Sequence, residues 1–240
     1  VGGEATMIRQ AENLREEKSH SVSLSADMYR RFGAFQCNLL LEGFYTRLNH
    51  VFVLEEIGKD EEHNAVIKER RNGQGAEVAG VTVEGKVAYL SLVQLQAGVT
   101  WQKSHYTRPE KWSKDSSVPA EKRIFRTPDW YGYFTATYSP VKPLNIALSG
   151  TYTGSMIVQH MKGYIPKDIA VTTPDFFDMN LKISYDFSLY KFITLQLNAG
   201  IQNIFNAYQR DFDRGKERDS GYIYGPSMPR SYFAGAKLMF

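Results

Sequence analysis

The sequence is poor in cysteine and has no long hydrophobic run. Its 240 residues contain one cysteine, Cys37, which excludes an internal disulfide and a Cys-rich metal site. No run approaches the roughly 18 apolar residues of a membrane-spanning helix. The formal net charge is only +3 and the basic residues form no stripe, so nucleic acid is not an expected partner. The chain therefore falls outside disulfide-rich, helical-membrane and nucleic-acid-binding proteins.

A leader sequence is also missing from the start of the chain. Val1-Gly2-Gly3 has neither the basic start nor the apolar core of a signal peptide. A secreted protein without its leader is either processed or truncated. The strand count given below favours truncation.

Strict alternation of apolar and polar residues dominates what is present. In one segment the two alternating sets are Phe177, Met179, Leu181, Ile183 and Tyr185 against Asp178, Asn180, Lys182, Ser184 and Asp186. Alternation of this kind predicts strands with one apolar and one wet face. A soluble sandwich alternates too, but its strands average about 5–6 residues. These run to about ten or more, the length that crosses a bilayer at a tilt.

The pattern predicts nine strands, joined by connections that alternate between short and long. The strands are expected at 19–32, 35–54, 75–89, 91–105, 128–138, 143–160, 174–187, 192–207 and 230–240, after a loop and lead-in at 1–18. Bacterial barrels have short periplasmic turns and long extracellular loops, and an even number of strands. Nine is an odd number, so these strands are expected to be part of a larger barrel. The prediction is an all-β fold, an antiparallel transmembrane β-barrel of which residues 1–240 form a C-terminal part. Fifteen Tyr, fourteen Phe and three Trp suit its interfacial aromatic girdles.

The last ten residues resemble the C-terminal assembly signal of bacterial outer-membrane barrels. Gly235, Leu238 and Phe240 have its spacing of a glycine, a hydrophobic residue and a terminal aromatic. Phe233 departs from it, because a polar residue usually stands two before the glycine. The resemblance implies recognition by the barrel-assembly machinery of a Gram-negative outer membrane, with lipid around the strands.

Several blocks, in order along the chain, resemble TonB-dependent outer-membrane receptors. They are Asn13-Leu14-Arg15-Glu16-Glu17-Lys18-Ser19, Gly43-Phe44-Tyr45-Thr46-Arg47, Gly75-Ala76-Glu77-Val78-Ala79-Gly80-Val81, Arg126-Thr127-Pro128-Asp129-Trp130, Asn203-Ile204-Phe205-Asn206-Ala207-Tyr208 and Gly225-Pro226-Ser227-Met228-Pro229-Arg230. The resemblance implies a barrel of 22 strands with a plugged lumen, of which this chain supplies strands 14 to 22. It further implies active uptake of a ferric siderophore, haem or cobalamin with a plug domain and TonB as partners. The stretch 218–226 resembles the metal-chelate branch more than the glycan importers.

By position in such a receptor, seven residues near the long loops are candidate ligand contacts. They are Tyr106, His160, Tyr164, Arg210, Arg214, Tyr222 and Tyr224. None belongs to a defined ligand motif, and an aromatic loop that packs on itself is the alternative. Scattered histidines give no metal-ligand spacing, so neither a metal site nor a cofactor is expected.

Two other classes of function remain open at this point. A passive porin or an adhesin has the same alternation. An outer-membrane enzyme needs a nucleophile or an acid–base pair at one rim, and no such set stands out, so catalysis is not expected. The carboxylates of Glu55, Glu56, Asp60, Glu61 and Glu62 beside His63 are interpreted as a solvated loop.

Overall fold

The computed structural model describes residues 5–63 and 65–240, and within them the fold is built of strands. This part of the chain holds no helix with the length and hydropathy of a membrane span. Its strands are β1 (Ala5–Gln10), β2 (Lys18–Phe32), β3 (Phe35–Asn49), β4 (Phe52–Asp60), β5 (Ala65–Asn72), β6 (Ala76–Tyr89), β7 (Val93–Glu110), β8 (Glu121–Arg123), β9 (Trp130–Val141), β10 (Leu144–Thr153), β11 (Ile157–His160), β12 (Ile169–Thr172), β13 (Phe176–Tyr190), β14 (Ile193–Gln202) and β15 (Ser231–Met239).

One antiparallel sheet contains all nine strands that the alternation predicts. Its order is β2-β3-β6-β7-β9-β10-β13-β14-β15, with the short β8 added to the end of β7. Each inner strand of this path pairs with the strands on both sides of it, and the end strands β2 and β15 each pair with one neighbour. This is the meander of a partial barrel, and the sequence prediction of nine antiparallel strands is confirmed.

The connections place all long loops at one end of the sheet and all short turns at the other. The short turns lie between Phe32 and Phe35, Tyr89 and Val93, Val141 and Leu144, and Tyr190 and Ile193. The four long loops are residues 50–75, 111–129, 154–175 and 203–230. Gly33 has a φ of 58° in the tightest turn, a left-handed conformation that glycine adopts without a Cβ clash.

The two faces of the sheet have inverted exposure. On β7, Thr100 and Gln102 on the polar face are 6% and 9% exposed, whereas Val99 and Trp101 on the apolar face are 44% and 40% exposed. The register continues these faces across the sheet, since Leu148 pairs with Leu181, and Ala147 pairs with Lys182. Water-soluble proteins bury apolar side chains first. Along β7 the apolar face is the exposed one and the polar face is shielded, whereas the edge strand β2 is exposed on both faces.

Some glycines of the sheet are covered by an aromatic ring of the neighbouring strand. The ring fills the space that a glycine, which has no side chain, leaves open, and so packs the two strands together. A Cβ added to Gly200 on β14 would lie 2.5 Å from the Phe233 ring of β15, and one added to Gly98 on β7 would lie 2.8 Å from the Tyr133 ring of β9. This cross-strand packing gives Phe233 a role. The position that departs from the assembly signal carries an aromatic residue because its ring packs on Gly200.

The predicted lead-in and first long loop are more regular than the sequence indicates. Within 1–18, residues 1–4 lie outside the described residues, but Ala5–Gln10 forms β1 and pairs in parallel with β5. The expected loop 55–74 is instead a hairpin of β4 and β5. Expecting a loop was wrong here because charged residues mask the alternation. β5 pairs with β1 on one edge and with β4 on the other, so its backbone N–H and C=O groups have partners on both sides.

Three predicted strands end earlier than expected. The strand 35–54 stops at Asn49, because His50 takes a left-handed φ of 55° before β4 begins. The strand 143–160 stops at Thr153, and its last residues form the separate strand β11. The strand 192–207 stops at Gln202, because Asn203 takes a left-handed φ of 51°. All three breaks occur at the long-loop end, where the chain leaves the sheet.

Candidate functional site

The long loops contact one another above the sheet, and Arg126 joins three of them. Its guanidinium donates to the carbonyl oxygens of Gly221 and Ile223 in loop 203–230. Its backbone N–H donates to the carbonyl of Ile157, 2.9 Å away, at the start of β11. Arg126 has a left-handed φ of 60°, an unfavourable conformation for a side chain with a Cβ. Its hydrogen bonds to two other loops hold it in that conformation.

The first long loop is joined to β7 by a shielded ion-pair network. Arg71 of β5 donates to the carboxylate of Glu55, 2.5 Å away, and to that of Glu110, 3.2 Å away. Glu110 is 7% exposed and also accepts from the Gln74 N–H at 2.8 Å. Burial lowers the pKa of Arg71, but the two carboxylates outweigh it and raise that pKa above its usual range. The hairpin is thus fixed to the sheet by charges at its base.

His160 is the centre of a packed cluster that combines the loops 154–175 and 203–230. Its Nε2 lies 2.9 Å from the Asp213 carboxylate, and its ring stacks on Tyr222 with centroids 3.7 Å apart. His160 and Tyr222 are 6% and 3% exposed. We call His160, Gln209, Asp211, Asp213, Tyr222 and Tyr224 the loop core.

Sequence reasoning missed three members of the loop core, Asp211, Asp213 and Gln209, and among these Gln209 is the largest fully buried side chain. It is 1% exposed, and its side-chain amide accepts from the Tyr224 N–H at 2.8 Å and donates to the Tyr222 carbonyl at 3.0 Å. Its own N–H donates to the Pro226 carbonyl. A glutamine in a polar loop carries no pattern that marks it as buried. Its position two residues after the Asn-Ile-Phe-Asn-Ala block is the one available signal.

Asp211 binds both tyrosines of the loop core. The hydroxyls of Tyr222 and Tyr224 donate to its two carboxylate oxygens at 2.8 and 2.7 Å. Burial raises the pKa of Tyr224 to about 12, with Asp211 contributing in the same direction, and burial and Asp211 likewise raise the pKa of Tyr222. Burial alone would raise the pKa of Asp211, but the two hydroxyls hold it below its usual range. Both phenols therefore stay protonated donors at neutral pH.

Two asparagines explain the block 203–208 that the sequence singles out. Asn203 and Asn206 take left-handed φ values of 51° and 55°, which asparagine tolerates better than most residues. The Asn203 amide donates to the carbonyls of Ala207 and Met228, and Asn206 Oδ1 accepts from the Arg230 N–H. The block thus ties the beginning of loop 203–230 to its end.

The structure separates the predicted ligand contacts into three groups. His160, Tyr222 and Tyr224 lie together in the loop core, where their expected contact with a ligand stays a prediction and packing gives them a structural role. Tyr106 is half-buried on β7, paired with Ala76 of β6. The others, Tyr164, Arg210 and Arg214, are exposed.

Exposed cations line the part of loop 203–230 that lies beside the loop core. Arg210 sits over the Tyr208 ring, 5.2 Å from its centroid. Arg214 and Lys216 are exposed and make no hydrogen bond or ion pair with the described residues. Because the loop core fixes the chain on both sides, these cations project from an ordered loop. The arrangement suits recognition of an anion.

Metal ligation has no counterpart in this arrangement. Across residues 5–63 and 65–240 there is no group of three or more His, Cys, Asp or Glu side chains placed to hold a metal ion. The carboxylates of the expected acidic loop are distributed among separate pairs, such as Glu56 with Lys114 at 3.1 Å and Asp60 with His63 at 2.9 Å.

The residues of the predicted assembly signal lie on and just after β15. Gly235 pairs with Asn198 on the polar face and Leu238 with Leu195 on the apolar face. Phe240 follows the strand and is 89% exposed. Their role as a signal stays a prediction.

A family model described as TonB dependent receptor-like, beta-barrel, matches residues 2–204 of the chain. No match was found among curated protein sequences.

Solved structures with the same fold are outer-membrane receptor barrels much longer than this chain. The ferric enterobactin receptor of Pseudomonas aeruginosa is 16% identical, with a TM-score of 0.59, over 97% of this chain and 32% of that one. The ferric-catecholate import receptor Fiu of Escherichia coli K12 is 18% identical, with a TM-score of 0.59, over 95% and 28%. The pyoverdine receptor FpvA of P. aeruginosa PAO1 is 13% identical, with a TM-score of 0.62, over 93% and 30%. At these identities the likeness concerns the fold, and the chain spans about a third of the length of the receptors.

Proposed function

The chain belongs to the TonB-dependent receptor β-barrel family, and from that premise we propose that it is part of a receptor that imports a ferric siderophore across the outer membrane. Haem and cobalamin are the other cargoes that the family resemblance admits. The proposal concerns transport rather than catalysis, since the family is one of transport receptors.

The inverted exposure of the sheet supports a position in the outer membrane. Val99 and Trp101 are 44% and 40% exposed on the apolar face of β7, which is unfavourable in water and favourable in lipid. The shielded polar face suits a water-containing lumen. On this proposal, the apolar face contacts lipid and the long loops lie outside the cell.

The exposed cations of loop 203–230 are the observation that carries the choice of cargo. Arg210, Arg214 and Lys216 project from a loop whose backbone the loop core fixes, so binding an anion requires little ordering of the chain. Ferric catecholate complexes are anionic. The resemblance of the fold to enterobactin, catecholate and pyoverdine receptors supports the same class of ligand.

The remaining partners are proposed from family membership. A plug domain and TonB, both supplied outside these 240 residues, would open the path for the cargo and provide energy. The barrel-assembly machinery would recognise Gly235, Leu238 and Phe240. The loop core would hold the ligand-binding surface in shape rather than contact the cargo.

The test is ligand binding by the full-length receptor in which only the exposed cations are changed. The variant Arg210→Gln/Arg214→Gln/Lys216→Gln is compared with Arg30→Gln, which removes one exposed cation at the short-turn end. Binding of a ferric tris-catecholate, ferric pyoverdine, haem and cobalamin is measured by fluorescence quenching. We expect the triple variant to bind the ferric chelate at least about tenfold more weakly, since a charge-assisted contact contributes about 1.5–3 kcal/mol.

Deletion of the whole loop is a poorer experiment, because Gln209 and Tyr222 are buried within it and their loss would unfold the neighbouring loops. The cargo assignment is wrong if the triple variant and the Arg30→Gln control bind every ferric chelate equally well. Tighter binding of haem or cobalamin than of any ferric siderophore would reassign the cargo within the same family.

A further inference from the structure

An open polar cavity of about 370 Å³ lies on the polar face beside the long-loop end of the sheet. Strands β13, β14 and β15 and the segment 226–229 of the last long loop form its walls. The polar side chains that line it are Asp178, Asn180, Gln202, Asn203, Ser227 and Ser231. None of the predicted ligand contacts lines it, so it is separate from the loop core.

Asp178 presents an unpartnered carboxylate to this cavity. Its Oδ1 atom is shielded from solvent and has no hydrogen-bond partner, and no hydrogen bond or ion pair of its side chain occurs with the described residues. Two other acidic side chains of the polar face, Glu84 and Asp186, are partnered: Glu84 by Tyr133 and Lys86, and Asp186 by Gln196 at 2.8 Å. Asp178 therefore differs from them in lacking a donor where solvent is excluded.

The neighbours of Asp178 direct their polar groups elsewhere. The Asn203 amide donates to Ala207 and Met228, and its Oδ1 accepts from the Ala207 N–H. Asn180 Oδ1 accepts from the Asn203 N–H at 2.9 Å. Ser231 donates to Gln202. The lining of the cavity thus supplies no cation, and the shielded Oδ1 of the half-buried Asp178 lacks a donor, which is unfavourable.

We propose that Asp178 forms an ion pair with a Lys or Arg side chain of the receptor polypeptide that lies outside these 240 residues and occupies the barrel interior. This inference rests on the proposed function. The chain spans about a third of the length of the structures that share its fold, so most of such a receptor lies beyond it. Large transporter barrels have a plugged lumen, and Asp178 faces that side of the sheet. The cavity of about 370 Å³ has room for a guanidinium or ammonium group, which would supply the donor that the shielded Oδ1 of Asp178 lacks.

The experiment uses the full-length receptor with Asp178→Asn, which keeps the shape of the side chain and removes its charge. Asp186→Asn on the same strand and face is the matched control, because Gln196 already partners that carboxylate. Hydrogen exchange is followed over the whole receptor, and heat-modifiable migration in gels checks that the barrel has folded. We expect exchange to become at least tenfold faster in Asp178→Asn at one segment outside residues 1–240, and to remain unchanged there in Asp186→Asn.

A charge exchange identifies the partner and gives a second measurement. Asp178→Lys should accelerate hydrogen exchange in the same segment further. In the Asp178→Lys variant, a second change to Glu of the Lys or Arg that pairs with position 178 should restore protection. Equal exchange in Asp178→Asn, Asp178→Lys and Asp186→Asn would refute the ion pair and leave a solvent cation as the neutralising group. If only the ion pair is wrong, the unmodified receptor still binds its ligand and takes it up with TonB. If the proposed function is wrong, the unmodified receptor shows neither binding nor uptake.

Discussion

The imidazole of His160 stacks on the phenol ring of Tyr222, with ring centroids 3.7 Å apart and planes 7° from parallel. The two residues come from different long loops, and each is also held by an aspartate of loop 203–230: His160 by Asp213 and Tyr222 by Asp211. The stacking therefore joins the two loops through a shielded set of rings and charges. On the proposed function, the loops would be fixed on the side that faces away from the ligand.

Removing the stacked histidine should release these loops without unfolding the sheet. His160→Ala leaves the Asp213 carboxylate, whose side chain is 2% exposed, with the Asp219 N–H as its remaining partner. Loss of a hydrogen bond to a buried charged group costs about 1.5–3 kcal/mol. We expect cleavage by trypsin after Arg210 or Arg214 in the full-length receptor to become about tenfold faster, with unchanged heat-modifiable migration. Tyr164→Ala is the control, because Tyr164 belongs to the same pair of loops but is 56% exposed. Equal cleavage in both variants would show that the stacking does not order the loops.

The strands of the main sheet could be predicted from the sequence, because apolar and polar residues alternate strictly in a strand that has one apolar face. The Leu181 and Lys182 faces of β13 were both predicted, and the register keeps them aligned across the sheet. The loop core was not predictable in the same way. Gln209 is buried by contacts with residues 222–226, which no local pattern encodes. The hairpin of β4 and β5 was missed because its strands are largely polar, so that no apolar face marks them.

A glycine that lies beneath an aromatic ring should tolerate substitution less well than one in open space. A Cβ on Gly98 meets the Tyr133 ring, whereas a Cβ on Gly85 of β6 meets nothing within 4 Å. Overpacking of this kind costs about 1–3 kcal/mol. We expect Gly98→Ala to lower the urea midpoint of the full-length receptor in lipid, and Gly85→Ala to leave it close to the starting value. A similar decrease in both variants would mean that loss of glycine itself, and not the ring, sets the cost.

The orientation of the faces can be tested by labelling single cysteines in the full-length receptor. In a Cys37→Ser background, Leu181→Cys should be shielded from charged thiol reagents by lipid. Lys182→Cys, one residue further along β13, should react from the aqueous side, because neighbouring residues of a strand point to opposite faces. The opposite pattern, with a reactive Leu181→Cys and a shielded Lys182→Cys, would require the apolar face to line the lumen.

The loop core should lose stability at both extremes of pH. The pKa of Tyr224 is raised from 10.0 to about 12, so its contribution is complete below pH 10 and is lost as the pH rises through about 12. The pKa of Asp211 is lowered from 3.8, so its contribution is present above that value and is lost as the pH falls through the folded pKa. Absorbance at 295 nm during alkaline titration should show one fewer phenol titrating near pH 12 in Tyr224→Phe. Loss of a phenol that titrates near pH 10 would instead mean that Asp211 and burial do not hold Tyr224 protonated.

Residues 1–240 alone should form no channel, because the main sheet is open at both sides. Within the described residues, β2 and β15 are its edge strands, and neither pairs with a further strand on its outer side. In hydrocarbon each unsatisfied backbone group costs several kcal/mol, so two bare edges cost on the order of tens of kcal/mol. Side-chain packing on a single sheet cannot offset that amount.

The isolated chain in lipid bilayers should therefore aggregate or pair edge to edge with a second copy. It should give no regular conductance steps and no heat-modifiable monomer, while the full-length receptor prepared in the same way shows the heat-modifiable form. A stable monomer with uniform channels would mean that the two edges close on each other and that these nine strands form a complete small barrel.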